Sequence, residues 1–253
     1  MLQADDRAPA RDSIRVPGTP LIVTRGEPVA VVVHNRTASP FSVHWHGIEL
    51  ESYNDGVAGW SGVAKRVAPL IAPGESFTAH FTPPRAGTFM YPAHNEPGAE
   101  LASGLYAPLI VLEPGAHYDP RSDRIIVIAS GGPGLSPPTA INGLTSPDTM
   151  RLVAGETYRI RFIDISSNDA HAVALNGPMG TIAWRSLARD GRALPLDRQV
   201  MQPARFNTAA GITMDFEFVP LAAGAYSLQL TTLVAAKPVG VPTVMPIKVT
   251  AQE

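Results

Sequence analysis

The sequence predicts an all-β chain made of two tandem Greek-key β-sandwich domains, and three observations carry that reading. Proline and glycine are abundant, 25 and 22 of 253 residues. They are spread along the chain between short apolar runs, the pattern of many strands joined by turns. No stretch reads convincingly as a helix of any length. The second half also repeats the first. Gly26-Glu-Pro-Val-Ala-Val-Val-Val-His-Asn35 aligns with Gly155-Glu-Thr-Tyr-Arg-Ile-Arg-Phe-Ile-Asp164, and Gly74-Glu-Ser-Phe-Thr-Ala-His-Phe-Thr-Pro83 aligns with Gly211-Ile-Thr-Met-Asp-Phe-Glu-Phe-Val-Pro220. Two all-β domains of this size with turn-rich connections form sandwiches.

Taken in order, residues 1–12 are polar and read as a loose tail. Ile14 to Pro20 reads as a short edge strand or an extended lead-in, because its prolines exclude a central strand. Leu21-Ile-Val-Thr24, a turn at Arg25-Gly26-Glu27 and Val29 to Asn35 give two strands. His44 to Leu50 is expected to continue the sheet, followed by a loop region around Asn54-Asp-Gly56 and Gly59-Trp-Ser-Gly62. Ser76 to Phe81, Thr88 to Ala93 and Gly104 to Leu112 supply the remaining strands of the first half. The connector Glu113-Pro-Gly-Ala-His-Tyr-Asp-Pro-Arg-Ser122 marks the boundary, which gives domains of 1–114 and 115–253. Ile125-Ile-Val-Ile128 opens the second domain. Gly131-Gly-Pro-Gly-Leu-Ser-Pro-Pro138 reads as a loop; no helix and no lysine follow it, which argues against a phosphate cradle.

Composition narrows the function classes. The formal net charge is -2 and no basic run stands out, so nucleic acid is not an expected partner. No apolar stretch is long enough to span a membrane as a helix. Met1-Leu-Gln-Ala-Asp-Asp-Arg7 does not read as a signal peptide. Either the protein is cytoplasmic, or a leader or upstream region has been removed. Cysteine is absent, so there is neither a disulfide nor a thiolate ligand for a metal.

The chemistry concentrates in Phe41-Ser-Val-His-Trp-His-Gly47. In an extended chain, side chains two residues apart share a face. His44 and His46 therefore point the same way and can reach one metal ion or two adjacent ones, while Trp45 turns to the opposite face and can bury there. Residue type, spacing and face together favour metal ligation over ordinary surface histidines. His94, in the strand-like run Gly87 to His94, is the third candidate. His34, His80 and His117 read as outward-facing polar residues. The repeat places Ala174 opposite His44, Asn176 opposite His46 and Thr231 opposite His94, so metal ligands are expected only in the first domain. His171 has no partner at ligand spacing.

These residues resemble the multicopper oxidase (laccase-like) family of cupredoxin domains. The matching motifs run His44-Trp-His-Gly47, Asp55-Gly56, Pro73-Gly-Glu-Ser76, Gly87-Thr-Phe89, Pro92-Ala-His94 and Gly104-Leu-Tyr-Ala-Pro-Leu-Ile-Val111. The second half, with Ile141-Asn-Gly143 and Tyr158-Arg-Ile-Arg-Phe162, looks like the family's metal-free domain. The resemblance implies copper as cofactor. It implies His44 as a type 2 ligand, His46 as a type 3 ligand and His94 as the last histidine of a second type 3 pair. Pro92 stands where the first histidine of that pair belongs. The family's His-Cys-His motif and its further His-x-His are missing. Without cysteine there is no type 1 copper, and so no route for electrons into an oxygen-reducing cluster.

The resemblance therefore implies part of an oxidase, completed by a cupredoxin domain or subunit that supplies the His-Cys-His motif. Association of identical chains into a homo-oligomer is a further expectation, and the family's usual location is periplasmic or extracellular. Two other readings stand beside it: a binding module holding one copper or zinc ion on His44, His46 and His94, and a structural cupredoxin module that no longer binds metal.

Overall fold

A computed structural model describes residues 16–94, 104–130, 139–166 and 169–252. The chain divides into two compact units, Met1–Tyr118 and Asp119–Glu253. The expected tail at 1–12 and the loop at 131–138 lie outside the described residues.

The first unit contains strands Leu21–Thr24 (β1), Val29–His34 (β2), Ser42–Val43 (β3), Gly62–Val63 (β4), Arg66–Val67 (β5), Ser76–Phe81 (β6), Gly87–His94 (β7) and Tyr106–Leu112 (β8), with one helical turn, Ser52–Asp55 (α1). One sheet has the order β1-β8-β7-β3, β2 pairs with β6, and β4 with β5 forms a small hairpin. β1 runs parallel to β8 and the other pairs are antiparallel. The valine-rich β2 shows why period two matters: Val33 is buried while Ala30, Val32 and His34 face out. The core between the sheets includes Val33, Phe41, Val43, Trp45, Phe81, Phe89, Tyr91, Leu109 and Val111.

The second unit contains Asp123–Ser130 (β9), Thr139–Ile141 (β10), Met150–Val153 (β11), Tyr158–Asp164 (β12), Ala170–Gly177 (β13), Gly180–Thr181 (β14), Ala183–Arg189 (β15), Arg192–Ala193 (β16), Met201–Pro203 (β17), Arg205–Ala209 (β18), Thr213–Phe218 (β19), Gly224–Val234 (β20) and Lys237–Thr250 (β21). Its two sheets run β10-β9-β12-β19-β15-β16, with β17 beside β15, and β11-β21-β20-β13-β14, with β18 beside β13. Trp184 stacks on Phe216 in the core, ring centroids 4.2 Å apart.

The internal repeat extends to hydrogen-bond register. Val29 faces Phe81 in the first unit and Tyr158 faces Phe218 in the second. Leu21 faces Leu109, and Met150 faces Ile247. Gly26 N–H donates to Pro83 O at 2.9 Å, and Gly155 N–H to Pro220 O at 2.8 Å. Val29, Phe81, Gly26 and Pro83 are the residues that the sequence alignment pairs with Tyr158, Phe218, Gly155 and Pro220; the parallel pairing of the first strand extends the likeness beyond it.

Two local readings need correction. The segment from His44 to Leu50 does not all continue the sheet: β3 itself is two residues long, and the last pairing is the bridge from His46 to Met90. Gly47 has φ +85, a left-handed conformation that turns the chain away. Ile14 to Pro20 contributes no strand among its described residues; Gly18 N–H donates to Tyr106 O as the chain leads into β1.

Candidate metal centre

β3 and β7 build the centre. Ser42 faces His94 and Val43 faces Ala93, and the run continues with His44 N–H donating to Pro92 O at 3.0 Å. Directly opposed residues share a face. Val43, Ala93, Trp45 and Tyr91 therefore go to the core, and His44, His46, Pro92 and His94 line the other side. Trp45 is only 1% exposed and packs on Tyr91 and Phe81 at centroid distances of 5.5 and 5.3 Å. Burying such a side chain stabilises by roughly 1.5–3 kcal/mol, and its anchorage fixes the directions of the two histidines that flank it.

The three imidazoles come together. The His44 ring lies 5.4 Å from that of His46 and 6.0 Å from that of His94, both edge-on. His44 and His46 are half-buried and His94 is exposed, so the centre is open on one side. Among the described residues no three His, Cys, Asp or Glu side chains form a set that could hold a single ion. The arrangement is instead two imidazole pairs that share His44.

Asp55 was not assigned a role in the sequence reading beyond its Asp-Gly motif. Its Oδ1 is 3.2 Å, and its main-chain oxygen 3.3 Å, from His44 Nδ1. Both oxygens accept, so Nδ1 carries the proton and Nε2 keeps its lone pair for a metal. Burial pulls the His44 pKa below its usual value; Asp55 opposes this, and His46 and His94 add a little repulsion. The imidazole is then neutral near pH 7, the form that ligates. Ser61 Oγ donates to Asp55 Oδ2 at 2.7 Å and holds the carboxylate in place.

The repeat explains how Asp55 arrives there. In the second unit Leu175 N–H donates to Ala204 O, next to β18; in the first, Trp45 N–H donates to Asp55 O at the end of α1. One helical turn replaces a strand edge and brings a carboxylate to His44. At the corresponding place in the second unit, Ala174 faces Gln229 on one side and Arg205 on the other, and Asn176 faces Ser227. His171 lies one step off this pattern, with its ring in the core. His34, His80 and His117 are exposed, as expected.

Residues 14–116 match the family model for the multicopper oxidase domain. The chain is 37% identical to the multicopper oxidase MmcO of Mycobacterium tuberculosis over 145 residues, which is 55% of this chain and 27% of MmcO. It is 32% identical to Laccase-17 of Arabidopsis thaliana over 186 residues, 60% of this chain and 31% of that one.

The first domain thus matches the multicopper oxidase model, and the relatives the chain is similar to are multicopper oxidases and laccases.

The chain spans about a third or less of the length of those relatives. Among solved structures, the blue copper oxidase from Nitrosomonas europaea superposes with a TM-score of 0.72 at 22% identity, covering 93% of this chain and 77% of that one. A laccase variant from B. aclada gives 0.76 at 21%, covering 93% and 48%. The fold is therefore cupredoxin-like, and the cofactor of the family is copper. The donor set here fits that metal: imidazole nitrogens suit copper, and His44 is oriented from behind by a carboxylate.

Proposed function

We propose that this chain supplies one side of a type 2/type 3 copper cluster for oxygen-linked oxidation, with His44 on the type 2 ion and His46 and His94 on the type 3 ions. The convergence of three imidazoles on one open face, with His44 oriented by Asp55, carries this reading. Copper bound in such a cluster supplies one-electron redox chemistry toward oxygen. The chain's own part is to hold three imidazoles at fixed spacing and to keep the His44 proton on Nδ1. The cluster is incomplete on this chain. The sequence has no cysteine for a type 1 site, and Pro92 occupies a ligand position. A cupredoxin domain or subunit bearing a His-Cys-His motif completes it.

The test is copper-loaded, contaminant-free chain assayed with a phenolic donor. Negligible turnover and no copper–thiolate absorption are expected alone. Oxidation at an ordinary enzymatic rate, roughly 1–1000 per second, would overturn the proposal.

The second reading, a non-catalytic module with one metal ion or none, draws on Pro92. The closer contacts of the His44 ring with both other rings favour two shared pairs over the single-ion form. Binding of a single ion that loses affinity equally on removal of any of the three histidines would establish it.

A further inference from the structure

The second domain carries a buried polar chain that copper chemistry does not use. Asp164 Oδ2 lies 2.9 Å from His171 Nδ1, His171 Nε2 is 3.4 Å from Thr139 Oγ1, and Thr139 Oγ1 is 2.8 Å from Thr232 Oγ1. None of the four is more than 5% exposed. Asp164 Oδ1 accepts from Ser166 N–H at 3.1 Å and from Ser166 O–H at 2.6 Å. Thr243 O–H donates to the main-chain oxygen of Thr139 at 2.6 Å. Carboxylate, imidazole and hydroxyl stand in the order of a hydrolytic triad. Thr139 is buried, however, and its hydroxyl is engaged by Thr232, so no substrate carbonyl can reach it.

Register shows what the chain replaces. Phe41 bridges Ile71 in the first domain, and His171 faces Thr208 in the second. Asn35 Oδ1 accepts from Thr37 N–H and O–H, both at 2.8 Å, as Asp164 Oδ1 does from Ser166. The Asn35 amide then donates to Ile71 O. Asn35, Thr37 and Phe41 in one copy are thus Asp164, Ser166 and His171 in the other. A carboxylate can only accept, so it needs a donor where the amide supplied its own; a buried imidazole needs an acceptor where phenylalanine needed none. Each change is costly alone and satisfied by the other.

We propose that Asp164 and His171 form a matched buried clamp that, through Thr139, fixes β10 of one sheet onto β13, β20 and β21 of the other. The clamp takes the place of an amide and a phenyl ring in the first domain, and it sets how readily β10 detaches while the rest of the domain stays folded.

The full chain is compared with Asp164→Asn, His171→Phe, their double variant and Thr139→Val by thermal unfolding and by hydrogen exchange of β10. Each of the two clamp singles should unfold earlier. The double, which rebuilds the Asn35–Phe41 pairing, should recover part of that loss. Thr139→Val keeps the main-chain acceptor and the side-chain size, so it should fold even where a clamp single does not. It should speed exchange in β10 at least tenfold while β12 and β19 stay protected. Long-range nitrogen–proton spectra should place the His171 proton on Nδ1. Additive losses in the double variant would overturn the matched pair, as would a proton on Nε2 alone. Native protection of β10 in Thr139→Val would overturn the clamp.

Discussion

At the scale of single residues, the centre depends on tautomer and face. Asp55 holds the His44 proton on Nδ1, so Asp55→Ala should weaken copper binding about 10–100-fold, the usual effect of losing such an outer partner. Asp55→Asn should weaken it less, because its oxygen still accepts. Chelator competition decides; unchanged affinity in Asp55→Ala would show that the contact does not orient the ligand. Pro92 shares a face with His94 and lies across from His44. Pro92→His should therefore tighten binding by about tenfold, on the order of 1.4 kcal/mol, and confer no oxidase activity. Weaker binding by a folded Pro92→His protein would mean that position 92 turns away from the metal.

At the scale of elements, the site hangs on a two-residue strand and one turn of helix, and glycine makes that possible. Gly56 closes α1 at φ +85, and a Cβ there would run into the carbonyl oxygen of Val43. Gly56→Ala should lower first-domain stability by at least about 2 kcal/mol, since the left-handed backbone alone costs roughly 1–2. Calorimetry reads this directly. A change below 0.5 kcal/mol would mean that the turn yields. Much at this scale was legible in the sequence. The alternation of His44, Trp45 and His46 gave the two faces, because period two is local to a strand. The repeat set Ala174, Asn176 and Thr231 opposite His44, His46 and His94, and the register agrees: Ser42 faces His94 as Ala172 faces Thr231. The partnership of Asp55 with His44 was not legible, because it depends on a turn that returns the chain across eleven positions. Nor was that of His171 with Asp164, although aligning Asp164 on Asn35 offered a signal. Strand termination after His46 was missed because the valine-rich and His-x-His pattern says where a strand faces, not where its partner ends.

At the scale of the whole molecule, each domain has its own core, and the three candidate ligands lie in the first. Copper at a hundredfold excess over its Kd should stabilise the first domain by about 2.7 kcal/mol and leave the second unmoved. A shift confined to the second domain would contradict the repeat. Alkali should act on the first domain as well. Burial raises Tyr106 from the ordinary 10.0 to about 12, and raises Tyr91 also. These side chains stay protonated in the folded state after the unfolded chain has begun to ionise. Their stabilisation is complete below pH 10 and is lost as pH rises through 12, by roughly 2–3 kcal/mol for Tyr106. Chemical unfolding at pH 8, 10 and 11.5 checks this; stability flat across that range would refute it.

Arg205, the cross-strand neighbour of Ala174, has a consequence for any attempt to transplant the centre. Writing histidines at 174, 176 and 231 would copy the ligands onto matching positions of a matching ladder. It would also set Arg205, which follows the Ala204 that takes Asp55's hydrogen-bonding place, directly across the ladder from the new ligand at 174. A divalent cation would meet repulsion instead of a second partner for the imidazole, and β18 would fill the place that α1 leaves open. Ligand identity alone would therefore not carry the centre across, and engineering the second domain would have to begin with the strand next door.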